Sequence, residues 1–321
     1  MPLSADPGAR PDLSVVVVSW NTAGLLADCL ASLERATAGL AVEVIVVDNA
    51  SDDGSAEMVA AAFPAARLVR NAANVGFAAA NNQGFAIARG EFVLLLNSDT
   101  LVHGNVLAAS VAWMRARPDI GVFGPRVLNA DGTVQPSTTG WPGLLDLLLM
   151  TSGLDRSGLP GVFDRYRMRR ADRSLPADVD VVSGCAMFVR ARAMEEVGPL
   201  DTAFFFYGEE TDWCRRFRAA GWRVAYAPVG DITHFGGGSV RRLSHRRDVM
   251  LTEATVRLHA KHGGPAAALA CRAILGAFNL SRAALWSLAS IARAQGRARE
   301  RARHFRLVCR DTLLPRRRAA A

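Results

Sequence analysis

The sequence predicts an α/β protein in which a doubly wound, mostly parallel sheet is followed by a C-terminal helical extension. Two observations carry this prediction. Strand-like and helix-like segments alternate over the first third of the chain, which is typical of parallel strands joined by crossover helices. The apolar runs SVVVVS (14–19) and FVLLL (92–96) are not interrupted by alternating polar residues, as expected for strands buried on both faces of a sheet.

Short polar segments separate the predicted elements of the N-terminal part. Asn21 or Thr22 caps the first helix, and Pro64 ends the second, because proline lacks the backbone N–H that a helix interior uses. In chain order we predict a strand at 14–19, a helix to about residue 36, a strand at 42–47, a helix at 55–63, a short strand at 67–70, an alanine-rich helix within 71–90 and a strand at 92–96.

The following part of the chain has a less regular pattern. Its segment 141–176 shows weak periodicity, and so long a loop is usually functional or mobile. Around it we predict a helix at 104–117, a strand and hairpin at 122–135, strand-like pieces within 179–190, a helix over about 209–218, a strand at 223–227 and a glycine-rich loop at 231–238. Helical segments at 244–262 and beyond 265 complete the chain.

Composition indicates one large domain and an appendage. We place the domain at 13–240, with halves at about 13–103 and 104–240, and the appendage at 241–321, within a chain of 321 residues of which 50% are hydrophobic. Residues 1–12 are polar, proline-rich and without the apolar core of a signal peptide, so we expect a disordered lead-in. The scattered cysteines have no C-x-x-C spacing, which favours a reducing, cytoplasmic compartment over disulfides or a zinc site.

Two common phosphate-binding motifs are missing from the sequence. The first strand is followed by SWNTAG instead of the G-x-G-x-x-G of a dinucleotide-binding domain, and no Gly-Lys pair exists for a P-loop. The net charge of +8 is concentrated after residue 265, where arginines far outnumber acids. The charge is therefore a property of the tail, and we expect it to face an anionic membrane surface and no nucleic acid.

Polar residues follow the strand at 92–96 directly, as Asn97-Ser98-Asp99. Open α/β sheets bind their ligands at the carboxyl ends of the strands. Asn97 and Asp99 offer oxygen ligands to a hard cation such as Mg²⁺ or Mn²⁺, and such a cation can hold a diphosphate. Because the two residues are two positions apart, their side chains point the same way only if the strand continues or a turn re-aims them. The alternative is a polar turn that merely ends a strand.

Five motifs in order make the chain resemble family 2 glycosyltransferases of the GT-A fold, most closely their bacterial rhamnosyltransferase-like branch. The motifs are V-V-D-N-A-S-D-D-G, N-x-G-F-x-x-x-x-N-x-G, L-N-S-D, S-G-x-x-x-x-x-R and F-x-Y-G-E-E-x-D-W-C-x-R. The resemblance spans about two-thirds of the chain and implies a donor half at 13–103 and an acceptor half at 104–240.

The resemblance implies a set of donor-binding residues: Asp48, Asn49, Ser51, Asn74, Gly76, Asn82, Asn97 and Asp99. In this family the aspartate at the place of Asp48 accepts the N3–H of uracil or thymine, and a glycine such as Gly76 allows a close backbone approach to the ligand. The family's D-x-D metal motif becomes Asn97-Ser98-Asp99 here, so Asp99 is the better cation ligand of the pair. His234 is expected as a further ligand, which leans toward Mn²⁺ over Mg²⁺.

The resemblance also implies catalytic and acceptor-binding residues. Glu209, Glu210 and Asp212 begin a predicted helix, where the helix dipole stabilises acids, and the family's base aligns with Glu210. Glutamate replaces the family's aspartate at this position, which leaves Glu209 as the alternative base. Acceptor-binding residues are expected at Ser183, Gly184, Trp213 and Arg215, the last two also being able to pack on the core.

The implied activity is inverting transfer from a nucleoside-diphosphate sugar, dTDP-rhamnose or a UDP-hexose, to a hydroxyl of a lipid-linked glycan in cell-wall or surface-polysaccharide assembly. Two alternatives are a sugar nucleotidyltransferase and a catalytically inactive glycosyltransferase-like binding module. In the tail, the polar positions Arg272, Asn279, Arg282 and Arg293 share one helix face opposite an apolar one. We expect this helix to lie in the plane of the inner membrane surface, with packing on the domain as the alternative.

Overall fold

The structure, a computed structural model, describes residues 10–37, 39–236, 245–292 and 296–313. Residues 1–9 of the predicted lead-in, 237–238 of the predicted glycine-rich loop, residue 244 and Arg293 of the predicted tail helices lie outside the described residues. Residues 10–12 are described and contact the sheet, because the backbone N–H of Asp12 donates to the carbonyl of Ala41 at 2.8 Å.

The chain divides into two compact units. The first contains the described residues up to Trp141, Met168–Phe205 and those from Glu209 to 236. The second contains Pro142–Arg167, Phe206–Gly208 and the described residues from 245 onward. Much of the predicted loop 141–176 therefore belongs to the second unit, where it carries a helix at Leu144–Ser152.

Eleven strands are described in the first unit. They are β1 (Leu13–Ser19), β2 (Val42–Asp48), β3 (Arg67–Arg70), β4 (Phe92–Asn97), β5 (Thr100–Val102), β6 (Ile120–Leu128), β7 (Thr138–Thr139), β8 (Ala177–Asp178), β9 (Val181–Val182), β10 (Ala186–Arg190) and β11 (Arg223–His234). The main sheet has the order β3-β2-β1-β4-β10-β6-β11-β5, with β8 also beside β11, and β7 pairs with β9 separately.

Helices connect these strands in the first unit and form the second unit. They are α1 (Ala23–Ala36), α2 (Ser55–Ala62), α3 (Phe77–Phe85), α4 (Val106–Arg115), α5 (Leu144–Ser152), α6 (Ala191–Val197), α7 (Glu209–Ala219), α8 (His245–Ala292) and α9 (Gly296–Leu313). The predicted α/β architecture with C-terminal helices is thus confirmed.

Parallel pairing of β3, β2, β1 and β4 aligns the carboxyl ends of these strands at one edge. Ser19 of β1 pairs with Asp48 of β2, and Val18 pairs with Asn97 of β4. The other half of the sheet is mixed, because β10 runs antiparallel to both β4 and β6 while β11 runs parallel to β6. The polar residues that follow β2 and β4 consequently lie at a common edge.

Apolar side chains cover both faces of the sheet. Val15 and Leu94 belong to the core on one face, and Val16 and Leu95 belong to the core on the other. All four side chains are at most 1% exposed. The uninterrupted apolar runs of the sequence are therefore explained by burial on two sides.

The last strand is longer than predicted. The sequence predicts a strand at 223–227 and a loop from 231, whereas β11 continues to His234 after an irregularity between Tyr226 and Asp231. Its end pairs with β5, where His234 lies opposite Thr100. This pairing places the histidine beside the turn that follows β4, which the local pattern around Gly230 did not predict.

The second unit is a helical assembly. Gly264, with φ +79°, interrupts α8 immediately before Pro265. Helix α9 packs along α8, as shown by the hydrogen bond from Arg272 Nη1 to the Thr312 carbonyl at 3.1 Å. Asn279 of the predicted polar face is buried, so Arg272 and Asn279 are turned toward the bundle rather than outward. Exposed apolar side chains lie elsewhere on α8, at Leu269, Leu280, Leu285, Leu288 and Ile291.

Candidate active site

The loops after β1 and β2 hold each other by side-chain hydrogen bonds. Asp53 accepts from the backbone N–H of Ala23, the first residue of α1, at 2.8 Å. Asn21 accepts from the backbone of Asp52 at 2.8 Å, and its own N–H donates to Ser51 Oγ at 3.0 Å. Ser51 therefore shapes the loop beside the candidate nucleotide pocket, and the structure shows no more direct role for it.

Asp48 ends β2 and is 4% exposed. Its Oδ2 accepts from the backbone N–H of Ser51 at 3.2 Å, whereas its Oδ1 is buried and has no hydrogen-bond partner among the described residues. A buried carboxylate oxygen without a donor is unfavourable, and an N–H from a ligand would satisfy it. Asp48 thus remains a candidate for contact with a nucleobase.

Asn49 and Asn74 are engaged with each other and with the loop backbone. Asn49 Nδ2 donates to Asn74 Oδ1 at 2.9 Å, and Asn49 Oδ1 accepts from the N–H of Val75 at 3.0 Å. Asn74 Oδ1 also accepts from the N–H of Gly76 at 3.0 Å. These asparagines hold the backbone of the loop that precedes α3.

Gly76 and Asn82 have structural roles that differ from the predicted ones. Gly76 has φ +89°, and a Cβ there would lie 2.7 Å from both the ring and the carbonyl oxygen of Phe205. In this structure the close approach that requires glycine is to Phe205. Asn82 pairs with the backbone of Leu200, donating to its carbonyl at 2.8 Å and accepting from its N–H at 3.0 Å. The structure therefore shows Asn82 holding the backbone of Leu200, and its predicted contact with the donor stays a prediction.

Asn97, Asp99 and His234 come together at the carboxyl edge of the sheet. Nε2 of His234 lies 3.2 Å from Asp99 Oδ1 and 3.3 Å from Asn97 Nδ2. A turn after β4 re-aims Asp99, so the strand does not need to continue. The side chains of Asp99 and His234 are 14% and 15% exposed, which leaves them accessible to a ligand.

This arrangement supplies part of a cation site. It offers one carboxylate, one imidazole and one amide, which are ligand types of Mn²⁺ and Mg²⁺. No group of three His, Cys, Asp or Glu side chains suited to a metal is found within the described ranges. Among the described residues, a cation at Asp99 and His234 would have these side chains and Asn97 as its protein ligands, and the oxygens of a diphosphate could complete them.

The three acids at the start of α7 have different surroundings. Glu209 is 4% exposed, its Oε2 is buried without a hydrogen-bond partner among the described residues, and burial followed by the charge of Glu210 raises its pKa well above the usual range. Asp212 is fully buried and pairs with Arg216 Nε at 2.9 Å. This ion pair corrects the prediction of a catalytic role for Asp212, because its carboxylate has no exposed surface.

Glu210 is the only one of these three acids that is partly exposed. A Cβ at position 184 would lie 3.8 Å from Glu210 Cβ and 3.3 Å from the side chain of Leu95. A larger side chain at 184 would therefore contact both Leu95 and Glu210. The Asn97 N–H donates to the carbonyl of Cys185 at 3.0 Å. Gly184, which lies near Glu210, is therefore followed directly by a residue that is hydrogen-bonded to Asn97 of the candidate cation site.

The remaining predicted acceptor residues differ in position. Trp213 is fully buried, donates from Nε1 to the Gly198 carbonyl at 2.8 Å and stacks on Phe85, which corrects its predicted role in acceptor binding. Arg215 lies over the ring of Trp141 at 4.1 Å from its centroid and is partly exposed. Ser183 is also partly exposed, and its N–H donates to the Ser137 carbonyl at 2.8 Å.

Gln135 is a residue of this site that the sequence analysis did not single out. Its Oε1 lies 2.7 Å from Nδ1 of His234. The two residues are 99 positions apart, and Gln135 belongs to none of the five motifs, so no local signal indicated the contact. Only the pairing of β11 with β5 and β6 brings them together.

Comparison with known proteins identifies a family and several relatives of this chain. The sequence profile of glycosyl transferase family 2 matches residues 14–198. The N-acetylglucosaminyl-diphospho-decaprenol L-rhamnosyltransferase of Mycobacterium tuberculosis is 29% identical over 250 residues, which cover 72% of this chain and 78% of that protein. A hexosyltransferase of low-salt glycan biosynthesis from Haloferax volcanii is 24% identical over 230 residues, covering 70% of this chain and 67% of that protein.

A solved structure is similar over nearly the whole chain. It is a mannosyltransferase from Pyrobaculum calidifontis in complex with GDP-Man and Mn²⁺, at 20% sequence identity and a TM-score of 0.56. The similarity covers 97% of this chain and 89% of that one. At this level of identity the likeness concerns the fold.

Proposed function

The chain belongs to glycosyl transferase family 2, and on this premise we propose that it transfers a sugar, with inversion, from a nucleoside-diphosphate sugar to a hydroxyl of a polyprenyl-linked glycan. The predicted family and its GT-A fold are confirmed. The name of the mycobacterial relative describes L-rhamnosyl transfer to a diphospho-decaprenol-linked sugar, which supports dTDP-rhamnose as donor and a cell-wall or surface glycan as product. A UDP-hexose is the second donor candidate.

One observation carries the proposal, namely that candidate groups for donor and acceptor meet at one edge of the sheet. Asp48 pairs with Ser19 at the end of β1, and Asn97 pairs with the neighbouring Val18. Asn97 is hydrogen-bonded to Cys185, next to the glycine that lies near Glu210. A sheet edge that is polar and open at adjacent strand ends is where α/β proteins bind their ligands.

The donor would be held at its base and at its diphosphate. The unpartnered Oδ1 of Asp48 fits the N3–H that uracil and thymine share, which agrees with either donor candidate. Asp99 and His234, with Asn97 beside them, fit a divalent cation of the Mn²⁺ or Mg²⁺ class. Bound there, such a cation supplies positive charge that stabilises the leaving nucleoside diphosphate.

Glu210 is the proposed general base. Its partly exposed carboxylate accepts the proton of the acceptor hydroxyl while the acceptor oxygen bonds to the anomeric carbon and the bond from that carbon to the diphosphate breaks. No covalent enzyme intermediate is required. Burial, followed by the charge of Glu210, raises the pKa of Glu209, and its carboxyl is buried, so we propose the more exposed Glu210 as the base.

The C-terminal extension is proposed to hold the enzyme at the cytoplasmic face of an anionic membrane. Within the second unit, exposed leucines on α8 supply apolar surface that could enter a membrane. The arginines of α9 supply positive charge that could bind anionic lipid. One helix in the described part of the chain, His245–Ile291, is long and apolar enough to cross a membrane by length and composition alone. Because Arg272 and Arg282 lie within it and Gly264 interrupts it, we favour an in-plane position.

Two alternative functions remain distinguishable. A sugar nucleotidyltransferase would be favoured by a basic glycine-rich loop after β1, where this chain has SWNT. An inactive binding module is suggested by Asn97, which replaces the family's first metal-binding aspartate. Release of pyrophosphate from a nucleoside triphosphate and a sugar phosphate would identify the first, and donor binding without any turnover would identify the second.

The test is a turnover assay with dTDP-rhamnose or a UDP-hexose as donor and a polyprenyl-diphosphate N-acetylglucosamine as acceptor, in Mn²⁺, Mg²⁺ or EDTA. We expect release of the nucleoside diphosphate together with a glycolipid enlarged by one sugar, and loss of both in Glu210→Gln. Absence of transfer from all these donors would contradict the proposed substrates. Transfer with retained anomeric configuration would contradict the single displacement.

A further inference from the structure

The side chain of Gln135 contacts the Nδ1 edge of the His234 ring, which points away from the candidate cation site. Gln135 Oε1 is 2.7 Å from His234 Nδ1, while His234 Nε2 is 3.2 Å from Asp99 Oδ1. The imidazole is thus held between an amide on one side and a carboxylate on the other. A neutral imidazole carries its hydrogen on Nδ1 or on Nε2, and the other nitrogen has the lone pair that can bind a ligand.

The orientation of the Gln135 amide follows from its other partners. Its Nε2 lies 3.3 Å from the carbonyl oxygen of His234 and 2.8 Å from Asn129 Oδ1. A backbone carbonyl only accepts hydrogen bonds, so the end of the amide that faces it must be the NH₂ group. The oxygen of Gln135 therefore faces Nδ1 of His234, and this nitrogen must donate.

A turn in the chain holds Gln135 in this orientation. The backbone N–H of Gln135 donates to Val127 at 2.8 Å, and the N–H of Asn129 donates to Thr133 at 2.8 Å. Asn129 Nδ2 also donates to Thr133 Oγ1 at 2.9 Å, which leaves Asn129 Oδ1 to accept from Gln135. The backbone of Gln135 and the NH₂ end of its amide are therefore held by contacts other than the one with the His234 ring.

A neutral imidazole with its hydrogen on Nδ1 has a lone pair on Nε2. This lone pair can accept from Asn97 Nδ2 at 3.3 Å, and Asp99 Oδ1, itself an acceptor, lies 3.2 Å from the same nitrogen, so a cation bound by both would relieve their repulsion. A bare imidazole nitrogen beside a carboxylate is a donor set for a divalent transition-metal cation, and metal-bound histidines commonly donate their other N–H to an oxygen.

We propose that Gln135 is a positioning residue that fixes His234 as the Nδ1–H tautomer and so presents its Nε2 lone pair, together with Asp99, to the cation of the donor complex. This inference rests on the proposed function, because that function supplies the cation. Gln135 itself touches neither the cation nor the donor. Its effect is to remove the proton that would otherwise occupy the coordinating nitrogen.

Two variants separate this role from a structural one. Gln135→Met keeps the length of the side chain but cannot accept from Nδ1. Gln135→Glu keeps an oxygen for Nδ1 but loses the NH₂ group that donates to Asn129 and to the His234 carbonyl. If Gln135 acts as the acceptor for Nδ1, the glutamate variant retains the wild-type properties of His234 and the methionine variant does not. If Gln135 only holds the turn, both variants are affected alike.

The first measurement uses the metal-free full-length protein. Nitrogen-15 NMR of the histidine rings, above the usual imidazole pKa of about 6.5, distinguishes Nδ1–H from Nε2–H, and His234→Asn assigns the signal. We expect the Nδ1–H form of His234 in the wild type and in Gln135→Glu, and a shift toward Nε2–H in Gln135→Met. An Nε2–H ring in the wild type, or an unchanged ring in Gln135→Met, would overturn the proposal.

The second measurement is Mn²⁺ affinity in the presence of a nucleoside diphosphate, monitored by the electron paramagnetic resonance signal of free Mn²⁺. We expect Gln135→Met to weaken Mn²⁺ binding by about 10–100-fold, as for other residues that orient metal ligands, and Gln135→Glu to bind as tightly as the wild type. Equal Mn²⁺ affinity in the wild type and Gln135→Met would contradict the inference.

The two measurements also distinguish this inference from the proposed function. If the wild type does not bind Mn²⁺, the cation assignment fails, and the tautomer of His234 still decides whether Gln135 positions the ring. If Gln135→Met does not fold, Asn129→Ala replaces it, because loss of the Asn129 acceptor frees the Gln135 amide to turn. We then expect a partial shift of His234 toward Nε2–H, and an unchanged ring would overturn the proposal.

Discussion

The acids that begin α7 show how neighbouring residues of similar chemistry acquire different roles. Glu209 is buried without a partner for Oε2, Asp212 is buried in an ion pair with Arg216, and Glu210 is partly exposed beside Gly184. The helix dipole favours acids at this position in general and does not distinguish among the three. Their packing does, because it buries Glu209 and Asp212 and leaves Glu210 partly exposed.

Glu210→Gln tests the proposed base. The amide has nearly the same shape but cannot accept a proton, so we expect kcat to fall by at least about 100-fold, the low end for loss of a general base. Donor affinity should hardly change, because the base does not contact the nucleotide. Steady-state kinetics and calorimetric titration of the nucleoside diphosphate measure the two effects. If Glu210→Gln turns over normally and Glu209→Gln is inactive, Glu209 is the base.

Glu209→Gln tests the environment of the buried acid. Burial raises the pKa of Glu209 in the folded protein above its unfolded value of about 4.3, so its contribution to stability is present below that value and is lost as the pH rises through the raised pKa. We expect the glutamine variant to lack this loss and to have the higher free energy of unfolding at neutral pH. Urea unfolding over a pH series measures it, and a stability difference independent of pH would contradict the assignment.

Asp99→Ala tests the cation site. Asp99 supplies the carboxylate of the proposed cation site among the described residues, so we expect loss of Mn²⁺-dependent donor binding and of turnover, with an unchanged far-ultraviolet spectrum showing that the fold is retained. Titration of the nucleoside diphosphate with and without Mn²⁺ provides the measurement. Equal activity of the wild type in EDTA and in Mn²⁺ would rule out the cation assignment.

At the scale of elements, the helix α3 and its preceding loop are held by asparagines that the motif alone suggested as ligands. Asn82 closes a two-way hydrogen-bonded pair with the backbone of Leu200, and Asn49 with Asn74 holds the loop before α3. The contacts shown by these residues position a loop and a helix, so we predict that they affect donor binding indirectly. Asp48, which keeps an unpartnered oxygen, is the candidate for direct contact.

Asn82→Ala and Asp48→Ala form a matched pair for this distinction. Asn82→Ala leaves the N–H and the carbonyl of Leu200 without their partner, so we expect a loss of about 1–3 kcal/mol in the free energy of unfolding and little change in donor affinity. Asp48→Ala should weaken donor binding instead. Urea unfolding and nucleotide titration of both variants decide the matter. If Asn82→Ala loses donor binding while its stability is unchanged, the predicted role of Asn82 as a donor ligand is supported.

At the scale of the whole molecule, the family domain is accompanied by a second unit with its own apolar and basic surfaces. Leu288 and Ile291 of α8 are 66% and 82% exposed, which is unusual for side chains that could pack in a bundle. The predicted polar stripe is turned inward in part, through Arg272 and Asn279. The exposed face of α8 is therefore more apolar than helical periodicity alone indicated, as a membrane-binding helix requires.

Leucine-to-serine variants test the membrane proposal. We expect Leu280→Ser combined with Leu288→Ser to lower binding to phosphatidylcholine–phosphatidylglycerol vesicles, because exposed apolar area is lost. Leu175→Ser, at an exposed leucine of the first unit, is the control and should bind as the wild type does. Vesicle sedimentation measures binding, and added salt should weaken it by screening. Unchanged sedimentation of the double variant would contradict the proposal.

The sequence by itself determined the α/β class, the strand ends that carry polar residues, the family and the order of its motifs. These features are local, because apolar runs, turn residues and short motifs depend on neighbours along the chain. Asp48 and Asn97 were placed at strand ends in this way, and parallel pairing then brought them to one edge.

Only the tertiary structure decided which of the predicted residues are buried and which are partly exposed. Side chains of the same type at similar motif positions differ in burial and partners, as Glu210 differs from Glu209 and Asp48 from Asn82. The extension of β11 to His234, and the contact of this histidine with Gln135 across 99 residues, likewise depend on pairing between distant strands. Such contacts have no periodicity or motif along the chain, because they are created by the packing of elements that are remote in sequence.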